Sequence, residues 1–264
     1  MKFHSLRNQL VWQQMKQQQE ALLIGYLIAG DPTIPKSLKI IENSFLAGLD
    51  ILELGIPSRN PYMDGPIIQN GHARVNLMVD DLLMLLRNMR QQVQKPIWAM
   101  GYKADLFQSN FYKQLASEQL VDALLVPDCS YEESYEMARE VGDYGVDVVQ
   151  FIQPTMSDHQ MSEIAKYASI IYAQTYVGTT GANPATLNEL PIFYKRIRRH
   201  TQAMIVAGFG LKTPDKVRTV VKSHFDGAVV GSALVECCAD ENQDRLFQLI
   251  SKLKRATDLY QIKG

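Results

Sequence analysis

Short, continuous apolar runs recur along the chain, each followed by a loop and then by a segment with helical spacing. The runs begin at Leu22 (LLIGYLI), Leu49 (LDILEL), Pro96 (PIWAM), Val121 (VDALLV), Val146 (VDVVQFI), Ser169 (SIIYA), Ala203 (AMIVA) and Asp226 (DGAVV). Ile, Val and Leu dominate them, without the polar–apolar alternation of a half-exposed strand. That is the pattern of parallel strands covered on both faces. Helical patterns fall between them at 36–46, 82–93, 111–120, 132–141, 160–168, 192–197, 214–221 and 245–256. One more, at 6–19, precedes the first strand.

Eight strand–helix pairs in succession predict an α/β fold: a single (β/α)8 TIM barrel with an extra N-terminal helix, occupying 1–264 as one domain. A doubly wound open sheet is the alternative, but eight consecutive parallel strands with short returns favour closure. The length of 264 residues agrees, since about 250 is typical of such a barrel. The extra helix is placed to plug the barrel bottom. No linker or internal boundary divides the chain.

Composition narrows the function. Lys and Arg total 27 against 28 Asp and Glu, with 46% hydrophobic and 21% charged residues. A disordered chain would be far less apolar, and a nucleic-acid binder would carry a basic excess. The Gln-rich N-terminus lacks the apolar run of a signal peptide. The longest apolar stretches fall short of the ~20 residues that span a bilayer. Three cysteines, two of them adjacent (Cys237, Cys238), make no disulfide framework. The expectation is a cytoplasmic protein with reduced thiols and no nucleic-acid or membrane partner.

Barrel sites are built at the C-terminal ends of the strands and in the loops that follow. Glu53 interrupts the apolar second strand and must point into the barrel, where desolvation raises its pKa and suits it to proton transfer near neutrality. A structural glutamate paired with a Lys or Arg elsewhere explains the same residue. Asp64 follows in a loop bracketed by Pro and Gly; taken by itself, such a residue is more often a turn-former. Two carboxylates in different environments are a common acid/base arrangement. Gly208-Phe209-Gly210 and Gly231-Ser232 end the last two strands, where backbone N–H groups commonly bind phosphate. The long loop containing Gly178 and Gly181 suits a closing lid.

Other features carry less. The five histidines share no metal-ligand spacing and none ends a strand. The basic run 195–200 reads as a solvated helix face. Cys129 lacks a histidine partner and reads as packing, as does the Met-rich stretch 78–89. No phosphate-loop, zinc-protease or paired-cysteine zinc signature occurs, so no metal is expected.

Taken together, these residues resemble the tryptophan synthase alpha chain family. The most specific segment is Leu52-Glu53-Leu54-Gly55-Ile56-Pro57, then Asn60-Pro61 and Asp64 to Asn70 (DGPIIQN). Similar blocks occur as GYLIAGDP from Gly25, LVPDCSYEES from Leu125, GTTGA from Gly178, GFGLKTP from Gly208 and GSALV from Gly231. The resemblance implies a lyase of tryptophan biosynthesis that cleaves indole-3-glycerol phosphate to indole and glyceraldehyde 3-phosphate by a retro-aldol step. It implies no cofactor of the chain's own, and pyridoxal phosphate only in a partner β chain within an α2β2 complex. Glu53 matches the glutamate that protonates indole C3. Asp64 matches the aspartate that accepts the indole N–H and stabilises positive charge there. Tyr26, Met100, Tyr102, Leu125 and Phe209 match the indole pocket, while Thr180, Gly181, Phe209, Gly210, Gly231 and Ser232 match the region of the phosphate site.

Some positions depart from the family pattern, in the loops after strands 2 and 6 and after strand 1. Ser58-Arg59-Asn60 stands where the family usually reads Phe-Ser-Asp, in a loop that meets the β chain. Tyr176 replaces a customary Arg, Thr175 a customary Ser, and Ile28 a customary Thr. They leave three alternatives to an ordinary alpha chain: a stand-alone lyase or paralogue independent of a β chain, a weak catalyst that mainly activates the β chain, or a barrel with a changed substrate.

Overall fold

Every apolar run predicted to be a strand is one in the structure, a computed structural model that describes residues 2–174, 189–208, 210–240 and 242–258. The strands are β1 (Leu22–Ile28), β2 (Ile51–Gly55), β3 (Ile97–Met100), β4 (Ala123–Leu125), β5 (Asp147–Val148), β6 (Gln150–Ile152), β7 (Ile170–Gln174), β8 (Met204–Gly208) and β9 (Gly227–Val230). All neighbouring strands run parallel, in the order β5-β4-β3-β2-β1-β9-β8-β7-β6.

The two ends of that order belong to one predicted strand. β5 pairs with β4 and β6 with β7. Only Val149 separates them, and its amide bonds the Leu124 carbonyl at 2.9 Å. A single run therefore switches neighbours midway and returns the sheet on itself as a barrel of eight staves.

Alternation along each strand explains why the runs lack polar positions. Leu23, Leu27, Leu52 and Leu54 face the surrounding helices, whereas Leu22, Ile24 and Ile51 face Trp98, Met204 and Val206 inside the barrel. Both faces are apolar, as a helix-wrapped parallel barrel requires.

Helix α1 (Leu6–Gln18) closes the N-terminal end. Val11 and Met15 join the interior cluster. The fully buried Asn8 accepts from Trp98 Nε1 at 2.8 Å and donates to the Asp122 carbonyl and to Asp147, each at 2.9 Å.

The outer helices are α2 (Ile34–Ala47), α3 (Pro66–Arg74), α4 (Val79–Gln92), α5 (Phe111–Ser117), α6 (Tyr131–Val141), α7 (Asp158–Ala165), α8 (Leu190–Arg198), α9 (Pro214–Lys222), α10 (Ser232–Cys238) and α11 (Asp244–Arg255). Two of these are unexpected. α3 opens with Pro66 at its first turn, a position whose missing N–H a helix start tolerates. α10 follows β9 directly and buries Cys237 and Cys238.

The expectation that 78–89 is core needs correction. Leu82, Leu83, Leu85, Leu86 and Met89 form the buried face of α4, while Met78 and Met84 are exposed. The basic run on α8 is divided: Lys195 and Arg199 are exposed, while Arg196 contacts Asp158 and Arg198 contacts Asp226, both at 2.8 Å. Among the described residues, no helix is long and apolar enough to cross a membrane.

Candidate active site

The inward-facing positions of β1 and β2 change character towards their C-terminal ends. Below lie Leu22, Ile24 and Ile51; above them stand Tyr26 and Glu53, which are register partners across the two strands. Glu53 is 4% exposed, and its Oε2 has no hydrogen-bond partner. Among the described residues, no Lys or Arg pairs with it, which removes the structural ion-pair reading. Burial first, and then the negative charge of Asp64, push its carboxyl up to about 8. Around neutrality the group is mostly protonated and can both give and take a proton.

Asp64 lies in the loop between β2 and α3, one residue before the α3 cap at Gly65. It is 6% exposed, and more than a turn-former. Its amide bonds the Pro61 carbonyl at 3.1 Å, and Gln69 Nε2 donates to its carbonyl at 2.8 Å. With the backbone held on both sides, its Oδ2 accepts the Tyr102 hydroxyl at 2.7 Å. That hydroxyl in turn accepts the Met63 amide at 3.2 Å. Burial and the bond to Asp64 raise the Tyr102 phenol, so it stays a proton donor. Tyr62 packs on Tyr102 with ring centroids 5.1 Å apart.

An apolar wall stands beside these carboxyls. Tyr26, Ile28, Ile68 and Val235 form one buried cluster, with Met100 packed against it. Leu125, fully buried at the end of β4, belongs with Met100 to the interior cluster beneath. A flat aromatic ligand is suited to a site that joins apolar walls to a few fixed polar groups. Two glycines make room for phenols: a Cβ on Gly55 would collide with the Tyr26 hydroxyl, and one on Gly208 with that of Tyr172.

At the ends of β8 and β9, Gly210 adopts φ +73°, open to glycine and strained for other residues. Gly231 caps α10 and Ser232 is its first residue, so early amides of α10 have no partner within the helix. Thr180, Gly181 and Phe209, together with Thr175, Tyr176 and Gly178, lie outside the described residues.

One residue passed over in the sequence belongs to this cluster. His72 is buried on α3 together with Ile68 and Gly71. Its Nε2 lies 3.2 Å from the Tyr26 hydroxyl and 3.7 Å from Asp64 Oδ2, and its Nδ1 lies 3.2 Å from the Ser58 amide. Recognising a helix start at Gly65-Pro66 would have exposed it, because 68, 71 and 72 then share a face. Cys129 is half-buried, and its thiol is pushed up to about 12, mainly by burial, which fits packing rather than nucleophilic chemistry. Among the described residues, no group of three or more His, Cys, Asp or Glu could hold a metal ion.

A parallel barrel with two buried carboxyls at its C-terminal mouth and glycine turns after its last strands is of the TIM-barrel class, and its mouth holds groups able to move a proton. The profile of the tryptophan synthase alpha chain matches residues 12–261. The tryptophan synthase alpha chain of Petrotoga mobilis is 30% identical over 242 residues, covering 89% of this chain and 93% of its own length. That of Methanoregula boonei is 31% identical over 252 residues, covering 90% and 95%. The solved tryptophan synthase subunit alpha from Legionella pneumophila str. Paris superposes with a TM-score of 0.83 at 27% identity, covering 96% and 98% of the two chains. The chain belongs to the tryptophan synthase alpha chain family.

Proposed function

We propose that this chain cleaves indole-3-glycerol phosphate to indole and glyceraldehyde 3-phosphate. The observation that carries the reading is Glu53, a buried carboxyl without a cationic partner among the described residues, which feels the charge of an Asp64 held by Tyr102. Protonated Glu53 delivers its proton to indole C3, and the ring takes up positive charge that spreads to its nitrogen. Asp64 accepts the N–H and stabilises that charge, an electrostatic contribution that strengthens in a water-poor site. The bond from C3 to the side chain then breaks, and its electron pair restores the aromatic ring. The adjacent hydroxyl becomes the aldehyde, and its proton returns to the Glu53 carboxylate. One proton leaves and one returns, so the cycle closes without redox chemistry and with no cofactor of the chain's own.

Tyr26, Met100, Tyr102, Leu125 and Phe209 are assigned to the indole ring. Thr180, Gly181, Gly210, Gly231 and Ser232 are assigned to the phosphate. Backbone amides at two successive strand ends hold an anion without a global basic excess, which suits the net charge of −1. Family membership also implies a β-chain partner, which we place in an α2β2 complex in the cytoplasm, with pyridoxal phosphate on the β chain. In the contact loop, Arg59 and Asn60 are exposed, so the departures there fall on surface that a partner would meet.

The test is indole release by the purified chain, with and without a tryptophan synthase β chain. Glu53→Gln and Asp64→Asn are expected to lower turnover about 10²–10⁴-fold while substrate still binds. Near-wild-type turnover in either variant would refute the assignment.

A further inference from the structure

His72 takes no part in the reaction as written above, yet it is 4% exposed and sits among the groups that do. Its two ring nitrogens have different partners. The Ser58 amide, 3.2 Å from Nδ1, can only donate, so Nδ1 is an acceptor. The ring proton is thereby fixed on Nε2, since the bond made by one nitrogen sets the proton on the other. That Nε2–H faces the Tyr26 hydroxyl at 3.2 Å and Asp64 Oδ2 at 3.7 Å.

The consequence for Asp64 is directional. The Tyr102 hydroxyl donates to that same Oδ2 at 2.7 Å, so one hydrogen bond and the nearby imidazole N–H both fall on one oxygen. Oδ1 is then the oxygen turned to a ligand N–H. A ring carrying one proton also leaves the aspartate's negative charge uncancelled, which stabilises positive charge on a bound ring. His72 further connects Asp64 to the backbone of Ser58, inside the segment that departs from the family pattern. A shift of that loop displaces the imidazole and, with it, the carboxylate.

Resting on the lyase reading above, we infer that His72 is a positioning residue: an Nε2–H imidazole that fastens the Ser58 loop to Tyr26 and Asp64 and aims Asp64 Oδ1 at the substrate ring nitrogen.

The test compares His72→Leu with His72→Gln. A glutamine carboxamide reaches the region of Nε2 and restores a donor towards Asp64 and Tyr26; leucine fills the space without one. His72→Leu is expected to lower kcat about 10–100-fold with KM changed by less than about threefold, because small misplacements at a reacting centre have effects of this size. His72→Gln is expected to recover at least about fivefold of the loss. Equal kcat in the two variants, or a loss of thermal stability with kcat intact, would overturn the proposal. An independent arm reads the wild-type protein by ¹⁵N-imidazole NMR, with the His72 signals assigned by their disappearance in His72→Gln. The pattern of an Nε2–H tautomer supports the proposal; an Nδ1–H or doubly protonated ring overturns it. If the wild-type chain releases no indole, the lyase reading fails by itself and the spectrum alone decides the state of His72.

Discussion

Tyr102 donates its phenol proton to Asp64 Oδ2 across 2.7 Å and accepts the Met63 amide at 3.2 Å, so one hydroxyl pins both the carboxylate and the backbone beside it. Tyr102→Phe keeps the ring that packs on Tyr62 and removes both bonds. Hydrogen bonds to charged groups contribute about 1.5–3 kcal/mol, and a loss of that order is expected in urea unfolding. With Asp64 less well held, kcat/KM for indole release should fall about tenfold. A variant that lost stability but kept its kcat/KM would show that Tyr102 holds the loop and leaves the aspartate's aim unaffected.

Glu53 sets a pH dependence whose direction follows from its environment. Its carboxyl titrates near 4.5 when unfolded and at about 8 when folded, so between those values the native state binds more protons than the unfolded one. Stability from this group is fully present below the lower value and is lost as pH rises through the upper one. Glu53→Gln cannot ionise. It should match wild type near pH 4.5 and exceed it at pH 7 by an amount on the order of 3 kcal/mol, in urea unfolding run across that range. Catalysis should show the same group, because the free enzyme must hold the proton that goes to C3: kcat/KM is expected to decline above about pH 8. A wild-type stability curve that rises through this window would mean that Glu53 is ionised in the native barrel.

How much of this was legible in the sequence depends on whether a residue broke a local pattern. Glu53 was visible because a carboxylate stood inside Ile51-Leu52-Glu53-Leu54, where both faces are otherwise apolar. The barrel was visible because its strands are mainly apolar and recur at regular intervals. The change of neighbours at Val149 was not, because pairing first with β4 and then with β7 leaves no mark on the order of residues in VDVVQFI. His72 was hidden because no helix was expected over 66–74, and its meaning comes from Ser58, Tyr26 and Asp64, all of which lie outside α3. Met78 and Met84 were misplaced because methionine composition says nothing of helix face, and the leucines between them take the buried side of α4.

Gly55 and Tyr26 predict a coupled pair. A methyl group on Gly55 would meet the Tyr26 ring and hydroxyl, and overpacking of this kind typically costs about 1–3 kcal/mol. Gly55→Ala should therefore destabilise the barrel and displace Tyr26 from the wall of the site. Tyr26→Leu in the same chain removes the obstructing ring, so the double variant should be about 1 kcal/mol more stable than the sum of the single losses. Urea midpoints for all four proteins measure the cycle. Strict additivity would place the cost of Gly55→Ala in the backbone rather than against the phenol.

Asn8 separates stability from catalysis. It lies at the end of the barrel opposite Glu53, where it satisfies Trp98 Nε1, the Asp122 carbonyl and one Asp147 oxygen. Trp98 and Asp147 are fully buried, so neither can turn to water when this partner is removed. Asn8→Leu preserves approximate volume but strands a buried donor and weakens two acceptors, a loss of about 2–4 kcal/mol. Residues at the N-terminal face of such barrels serve the fold rather than the chemistry. The variant should therefore unfold at markedly lower urea while kcat and KM for indole release stay within about twofold of wild type at temperatures where it remains folded. A proportional fall in kcat would show that the plug at this end of the barrel is coupled to the position of Glu53 through the interior strands.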